Sequence, residues 1–156
     1  MARAILFHEH GATDVLELAE IPDPEPGPGQ VRLAVRAAAV NPFDWKVLHG
    51  FVSGFPKAFP AGLGNDVAGV VDALGEGVTS FAVGDPVLGQ SATPSYATSA
   101  LAAADRLIAK PDTLPWEVAA GLGGAGGVAW KVLERLGVAE GDTLLVHACV
   151  ALQRLA

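Results

Sequence analysis

Four prolines alternate with other residues in Ile21-Pro22-Asp23-Pro24-Glu25-Pro26-Gly27-Pro28-Gly29. Each fixes φ and lacks an amide donor, so the stretch can be neither a helix nor a ladder-forming strand. It has to run extended as a connector. What it delivers is equally constrained: in Gln30 to Val40, Val31, Leu33 and Val35 alternate with Arg32, Ala34 and Arg36, the period of two that marks a half-buried strand. A stiff connector feeding an alternating strand commits the chain to a β-rich fold. Nineteen glycines and eleven prolines in a chain that is 51% hydrophobic extend this to many tight turns between short buried strands.

Other strand signals are expected at Ala2 to Phe7, Val15 to Glu20, the glycine-rich run Gly62 to Gly75, Phe81 to Leu88, Ser95 to Ala102 and Arg106 to Ala109. Turns recur every eight to twelve residues, which suggests a barrel-like β domain. Pro42 stops the strand before it, and a short helical turn is expected over Asn41 to Gly50. The aromatic loop Phe51 to Phe59 either caps a core or lines an apolar pocket. His8 and His10 share one face of a strand end, a weak two-ligand metal geometry whose plainer reading is a solvated terminus.

From Pro111 the period changes. Asp112 or Thr113 can cap a helix with Pro115 and Glu117 in its first turn, and Val128 to Leu136 is amphipathic. Between them, Gly121-Leu122-Gly123-Gly124-Ala125-Gly126 spells G-x-G-x-x-G. A helix rather than a strand precedes it, so it is not read as a dinucleotide loop; its small residues are expected to let two helical segments pack closely. Gly141-Asp142 then launches the apolar run Thr143 to Ala148, the opening strand of a nucleotide-binding βαβ unit.

Charge and composition exclude several classes. The net charge is −7 without a basic block, so nucleic acid and anionic membrane surfaces are poor partners. No apolar stretch reaches membrane-spanning length, and Met1 to Phe7 is too short for a signal sequence. A single cysteine, Cys149, suits a reducing cytoplasm.

Asn41-Pro42-Phe43-Asp44-Trp45-Lys46, Gly64-Asn65-Asp66-Val67-Ala68-Gly69-Val70-Val71, Gly75-Glu76-Gly77-Val78, Val83-Gly84-Asp85 and Gly141-Asp142-Thr143-Leu144-Leu145-Val146-His147 follow one another at suggestive spacing. In that order they resemble the zinc-independent medium-chain dehydrogenase/reductases, most closely the NADPH-dependent quinone oxidoreductases. The resemblance implies a mainly β fold with α: a GroES-like, partly open β-barrel over residues 1–120 as the catalytic and substrate domain. Residues 121–156 would then hold a C-terminal helix and the first strand of an incomplete Rossmann unit. Relatives of this kind are about twice as long, which makes the chain look truncated before that unit is complete.

The resemblance also implies chemistry. Zinc-containing relatives carry cysteine and histidine where this chain has Asn41 and Asn65; neither amide is a good zinc ligand, so no metal site is expected. Hydride would pass directly from NADPH to a small apolar carbonyl such as a quinone. Asn41, Asp44 and Lys46 are implied as the catalytic residues, with Asn41 and Val128 beside the cofactor. The plainer reading is that Asn41-Pro42 caps a turn and Asp44 pairs with Lys46. Val128 stands where similar enzymes have a threonine whose hydroxyl meets the nicotinamide side, and Gly123 replaces a usual proline.

The glycine loop that grips the phosphates in relatives is missing after Ala148. An apolar strand left without parallel neighbours invites pairing, so a homodimer or a heterologous partner is expected through the 143–156 tail. Three readings stay open: a quinone-reductase-type enzyme completed by another polypeptide or by dimer pairing, an idle module that binds a ligand or partner, and a truncated or internally deleted relative without a selected role.

Overall fold

A computed structural model describes residues 1–146 of the chain. Among the described residues, eight strands form two antiparallel sheets. Strands β1 (Ala2–Phe7), β2 (Glu17–Ile21) and β4 (Ala61–Gly62) make a small sheet in the order β2-β1-β4. The larger one, in the order β7-β3-β5-β6-β8, contains β3 (Gln30–Ala38), β5 (Asp66–Leu74), β6 (Pro86–Gln90), β7 (Ser99–Ala103) and β8 (Leu107–Ala109). The two remain open sheets stitched along one edge. Ile5 N–H donates to the Tyr96 carbonyl at 2.8 Å, and Thr98 N–H donates to that of Arg3, also at 2.8 Å.

The proline run lies in no regular element, and the alternation it introduces appears as β3, with Val31 and Leu33 fully buried. They join Val67, Val71, Val87, Ala102 and Leu107 in the main core. Full burial of each large aliphatic side chain is worth about 1.5–3 kcal/mol. A second cluster of Phe7, Val47, Leu48, Ala61 and Leu63 fastens helix α1 (Pro42–Leu48) to the small sheet. β5 does not alternate at its start, because both its faces are covered. Val67 enters the main core, while Ala68 and Leu88 receive helix α2 (Trp116–Gly121) through Ala119 and Ala120.

Several expected elements differ in detail. Within the glycine-rich run 62–75 the long strand is β5, and its entry does more than lead in: Gly62 ends β4, and Gly64, at φ +88°, turns the chain from the small sheet into the large one. The strand expected at Ser95 begins only at Ser99, because residues 95–98 are used crosswise. Ser95 Oγ donates to the Asp66 carbonyl at 3.1 Å, and Tyr96 N–H donates to that of Leu63, also at 3.1 Å. Neither Asp112 nor Thr113 caps α2; Pro115 holds that position. The turn before it is held by Lys110, whose Nζ donates to the Pro111 and Leu114 carbonyls at 2.8 and 2.7 Å and lies 4.7 Å over the Trp116 ring.

The G-x-G-x-x-G spelling occupies a widened helical turn, Leu122–Gly126, that carries α2 into helix α3 (Gly127–Leu136). The division expected at residue 120 falls inside this helical run. Its glycines serve helix-on-sheet approach rather than helix-on-helix packing: a Cβ on Gly123 would strike the Gly89 carbonyl of β6. α3 buries no residue, and Val128, Trp130, Val132 and Leu136 are exposed. Thr143 to Val146, expected to open a nucleotide-binding strand, pair with no strand among the described residues, and Leu145 is 88% exposed. The rest of that expected strand, His147 and Ala148, the absent glycine loop after it, and the tail to Ala156 lie outside the described residues.

Candidate functional site

The site grows from the junction of β3, α1 and β5. Asn41 sits in extended backbone at φ −116°, ψ 156°, and Pro42 follows at the first helical position, where its missing amide costs nothing. Asp44, one turn into α1, folds back. Its Oδ2 accepts from the Asn41 backbone N–H at 2.7 Å and from the Tyr96 hydroxyl at 3.0 Å, and its Oδ1 accepts from Gly64 N–H at 3.1 Å. Asp44 is buried and ties its own turn to two segments distant in sequence, at Gly64 and Tyr96. Its role is first of all architectural.

Beside it lies a second buried acid, Asp66, at the head of β5. Asn41 Nδ2 donates to Asp66 Oδ2 at 3.0 Å. Burial pushes the Asp66 carboxyl above the ordinary carboxylate range and the nearby Asp44 charge adds to this, while hydrogen bonds from the Asn41 side chain, the Gly124 backbone and Gln90 pull the other way. Burial likewise raises the Tyr96 hydroxyl, helped by Asp44 and then Asp66. The Gly124 turn packs so closely on Asp66 that a Cβ there would meet both carboxyl oxygens.

These residues floor a cleft of about 310 Å³ lined by Asn41, Phe43, Asp66, Gln90, Ala125 and Val128 among others. A second cleft of about 380 Å³ adjoins it, with Phe43, Asp44 and Asn65 in the walls of both. Phe55, Pro56, Leu63 and Pro94 make that second space largely apolar. Phe43 and Phe55 meet edge to face there, with ring centroids 6.0 Å apart. The aromatic loop therefore lines a pocket through Phe55, while Phe59, itself exposed, packs edge to face over the buried Phe7 at 5.6 Å.

Of the residues expected to act, Asn41, Asp44 and Val128 come together in the first cleft. Lys46 does not: two residues beyond Asp44 on α1, it is exposed and lines neither cleft. Nor does it pair with Asp44, whose partners are the three donors above. Asn41 and Asn65, the two amides at the positions of interest for a metal, line one cleft. Among the described residues no group of three or more histidine, cysteine, aspartate or glutamate side chains could hold a metal ion. His8 instead pairs with Glu17 at 2.6 Å, and His10 Nδ1 lies 3.1 Å from the Val47 carbonyl with its ring against Phe59.

Sequence reasoning missed Asp66, Tyr96, Gln90 and Gly124 as site residues. A signal existed for two of them. Asp66 is a lone charge heading a long apolar strand, and Tyr96 is the chain's one tyrosine. Gln90 and Gly124 carried none, since only strand register and helix approach bring them to Asp66.

Residues 27–133 match the alcohol dehydrogenase GroES-like domain family. The chain is 36% identical over 150 residues to the quinone oxidoreductase of Mus musculus, covering 94% of this chain and 45% of that protein. It is 35% identical over 145 residues to a mycocerosic acid synthase-like polyketide synthase of Mycolicibacterium smegmatis, covering 92% of this chain and 7% of that one. The crystal structure of Escherichia coli quinone oxidoreductase complexed with NADPH superposes with a TM-score of 0.80 at 29% identity, over 87% of this chain and 41% of that one. The chain thus spans less than half the length of the quinone oxidoreductases it matches. No helix among the described residues is long and apolar enough to cross a membrane.

Proposed function

The chain belongs to the medium-chain dehydrogenase/reductase family through its alcohol dehydrogenase GroES-like domain, and on that premise we propose that it is the substrate-binding part of an NADPH-dependent, zinc-independent quinone or enone reductase. The observation that carries this is the pair of adjoining clefts. One carries the amides of Asn41, Asn65 and Gln90 beside the buried acids Asp44 and Asp66, the other is walled mainly by apolar and aromatic groups, and Phe43, Asp44 and Asn65 belong to both. A flat carbonyl compound in the apolar cleft would face whatever lies along Asn41.

The residues present fit the nicotinamide end of NADPH. Asn41, Asn65 and Gln90 offer donors and acceptors without a formal charge, and Val128 gives an apolar wall. NADPH, when bound, supplies the hydride. This chain supplies orientation: Asp44 fixes the Asn41 backbone, α1 presents Phe43 to both clefts, and the apolar lining keeps bulk water from the reacting carbonyl. Asn41 and Asn65 are amides where zinc-containing relatives have ligands, which favours direct hydride transfer. Lys46, which lines neither cleft, takes no part in this reading. The single cysteine supports a reducing, cytoplasmic setting.

The exposed apolar stretch of α3, with Leu144, Leu145 and Val146, favours pairing with a second copy or another polypeptide. A chain that sediments as a monomer at high concentration speaks against it. A second reading, a ligand-binding module without turnover, is favoured by the apolar cleft being walled entirely by residues of the GroES-like part. Calorimetric titration of NADPH into the chain, with oxidation of NADPH by 1,4-benzoquinone followed in the same sample, separates them. Binding with turnover, lost in Asn41→Ala, supports the reductase. Quinone binding without NADPH binding supports the module.

A further inference from the structure

We propose that Asp66 is a positioning residue: from the floor of the cleft it holds the Asn41 side-chain amide in the orientation a bound nicotinamide would meet. The inference rests on the reductase reading for its purpose, but its geometry stands in this chain alone. Asn41 is tied at two points to two different acids. Its backbone N–H goes to Asp44 at 2.7 Å, and its side chain goes to Asp66 at 3.0 Å. The first bond sets where the residue is; the second sets how its carboxamide is turned.

Asp66 is itself held with little freedom. It is only 2% exposed, and its backbone is paired with Gln90 across β5 and β6. Its carbonyl accepts from Ser95 Oγ at 3.1 Å and from Ala39 N–H at 3.3 Å. The Gly124 turn closes over its carboxyl group. A buried acid beside a second buried acid is an expensive way to seat a helix, because apolar side chains of similar volume do that without desolvating a charge. What an apolar residue cannot do is accept from an amide. Around the Asp66 carboxyl, Asn41 is the cleft-lining residue whose side chain donates to it, at 3.0 Å, and that contact gives the cost a use.

Asn41 side-chain resonances test this in the 156-residue chain by proton–nitrogen NMR, assigned by their loss in Asn41→Ala. In the native chain the two Nδ2 hydrogens should lie further apart in shift than in a free carboxamide, because one of them is held in the hydrogen bond to Asp66. In Asp66→Leu they should collapse toward free-carboxamide values. In Asp66→Glu, which retains an acceptor, separation should be partly restored. Should Asp66→Leu fail to fold, Asp66→Asn serves, with a smaller separation expected because a neutral amide oxygen is a weaker acceptor than a carboxyl group and the new amide brings donors of its own. Native-like Asn41 signals in a folded Asp66→Leu or Asp66→Asn chain would overturn the proposal and leave Asp66 as a seat for the Gly124 turn. NADPH added to the same samples addresses the parent reading separately. In the native chain it should move the Asn41 signals, and its affinity should fall roughly tenfold in Asp66→Asn. A native chain unmoved by NADPH would count against the reductase while the Asn41 signals still decide the role of Asp66.

Discussion

Gly124 rests directly against Asp66: a Cβ at residue 124 would lie against both oxygens of the Asp66 carboxyl group. That contact couples the helical run Trp116–Leu136 to the first residue of β5, and so couples the backbone beyond Gly121 to the floor of the cleft. Gly124→Ala gains helix propensity of up to about 1 kcal/mol, but displacing a buried carboxyl costs more, about 1–3 kcal/mol by the usual penalty for overpacking. Urea unfolding should show a net loss. Combined with Asp66→Ala the penalty should largely vanish, since the colliding atoms are gone, and a double-mutant cycle reads this as non-additivity. Additive effects would mean that Gly124 and Asp66 do not meet.

Asp44 is expected to be the most sensitive polar residue for stability. Its two oxygens accept from Asn41 N–H, Gly64 N–H and the Tyr96 hydroxyl, so Asp44→Asn, with one acceptor oxygen, strands buried donors at a cost of about 2–3 kcal/mol. Tyr96→Phe removes a single donor and should cost about 1 kcal/mol. The Tyr96→Phe cost should shrink in the Asp44→Asn background. Equal costs in both backgrounds would show that the hydroxyl draws its stability from the Ala39 carbonyl, 3.3 Å away, instead.

The raised Asp66 carboxyl gives a pH dependence with a definite sign. Its folded chain holds a proton that the unfolded chain releases from about 3.8 upward. The contribution to stability is therefore fully present below that value and is lost as pH rises through the higher folded value. Tyr96 acts in the same sense at the alkaline end: its contribution is present below its ordinary 10.0 and declines above it. The melting temperature should fall from acid toward neutral pH less steeply in Asp66→Asn than in the native chain. Identical slopes in the two would remove Asp66 as the source.

Much of this was legible from residue pattern. The proline run and the Val31-Leu33-Val35 alternation determine β3, and Pro42 after Asn41 marks the start of α1, because these features act over a few residues. The orientation of Asn41 was not legible, since it depends on Asp66, which lies 25 residues further along the chain. Lys46 lies away from both clefts for a local reason. Two residues apart on a helix is about 200° of rotation, so Asp44 and Lys46 cannot share a face. Likewise the glycines at 121–126 were readable as close-approach residues, but the surface they approach is a sheet that sequence spacing does not name.

Val128 gives the sharpest test of the cofactor reading. It lines the 310 Å³ cleft yet is 63% exposed, so changing it should leave the fold almost untouched, within about 0.5 kcal/mol as for most surface positions. Val128→Thr adds a hydroxyl at the position where similar enzymes carry one. A neutral hydrogen bond made there contributes about 0.5–1.5 kcal/mol, so NADPH affinity should rise roughly two- to tenfold. Val128→Ala keeps the wall apolar, adds no donor and should not tighten binding. Calorimetric titration of both variants beside the native chain distinguishes a hydrogen bond from a change in space. If threonine and alanine shift the affinity alike, the hydroxyl finds no partner and the nicotinamide does not lie along α3.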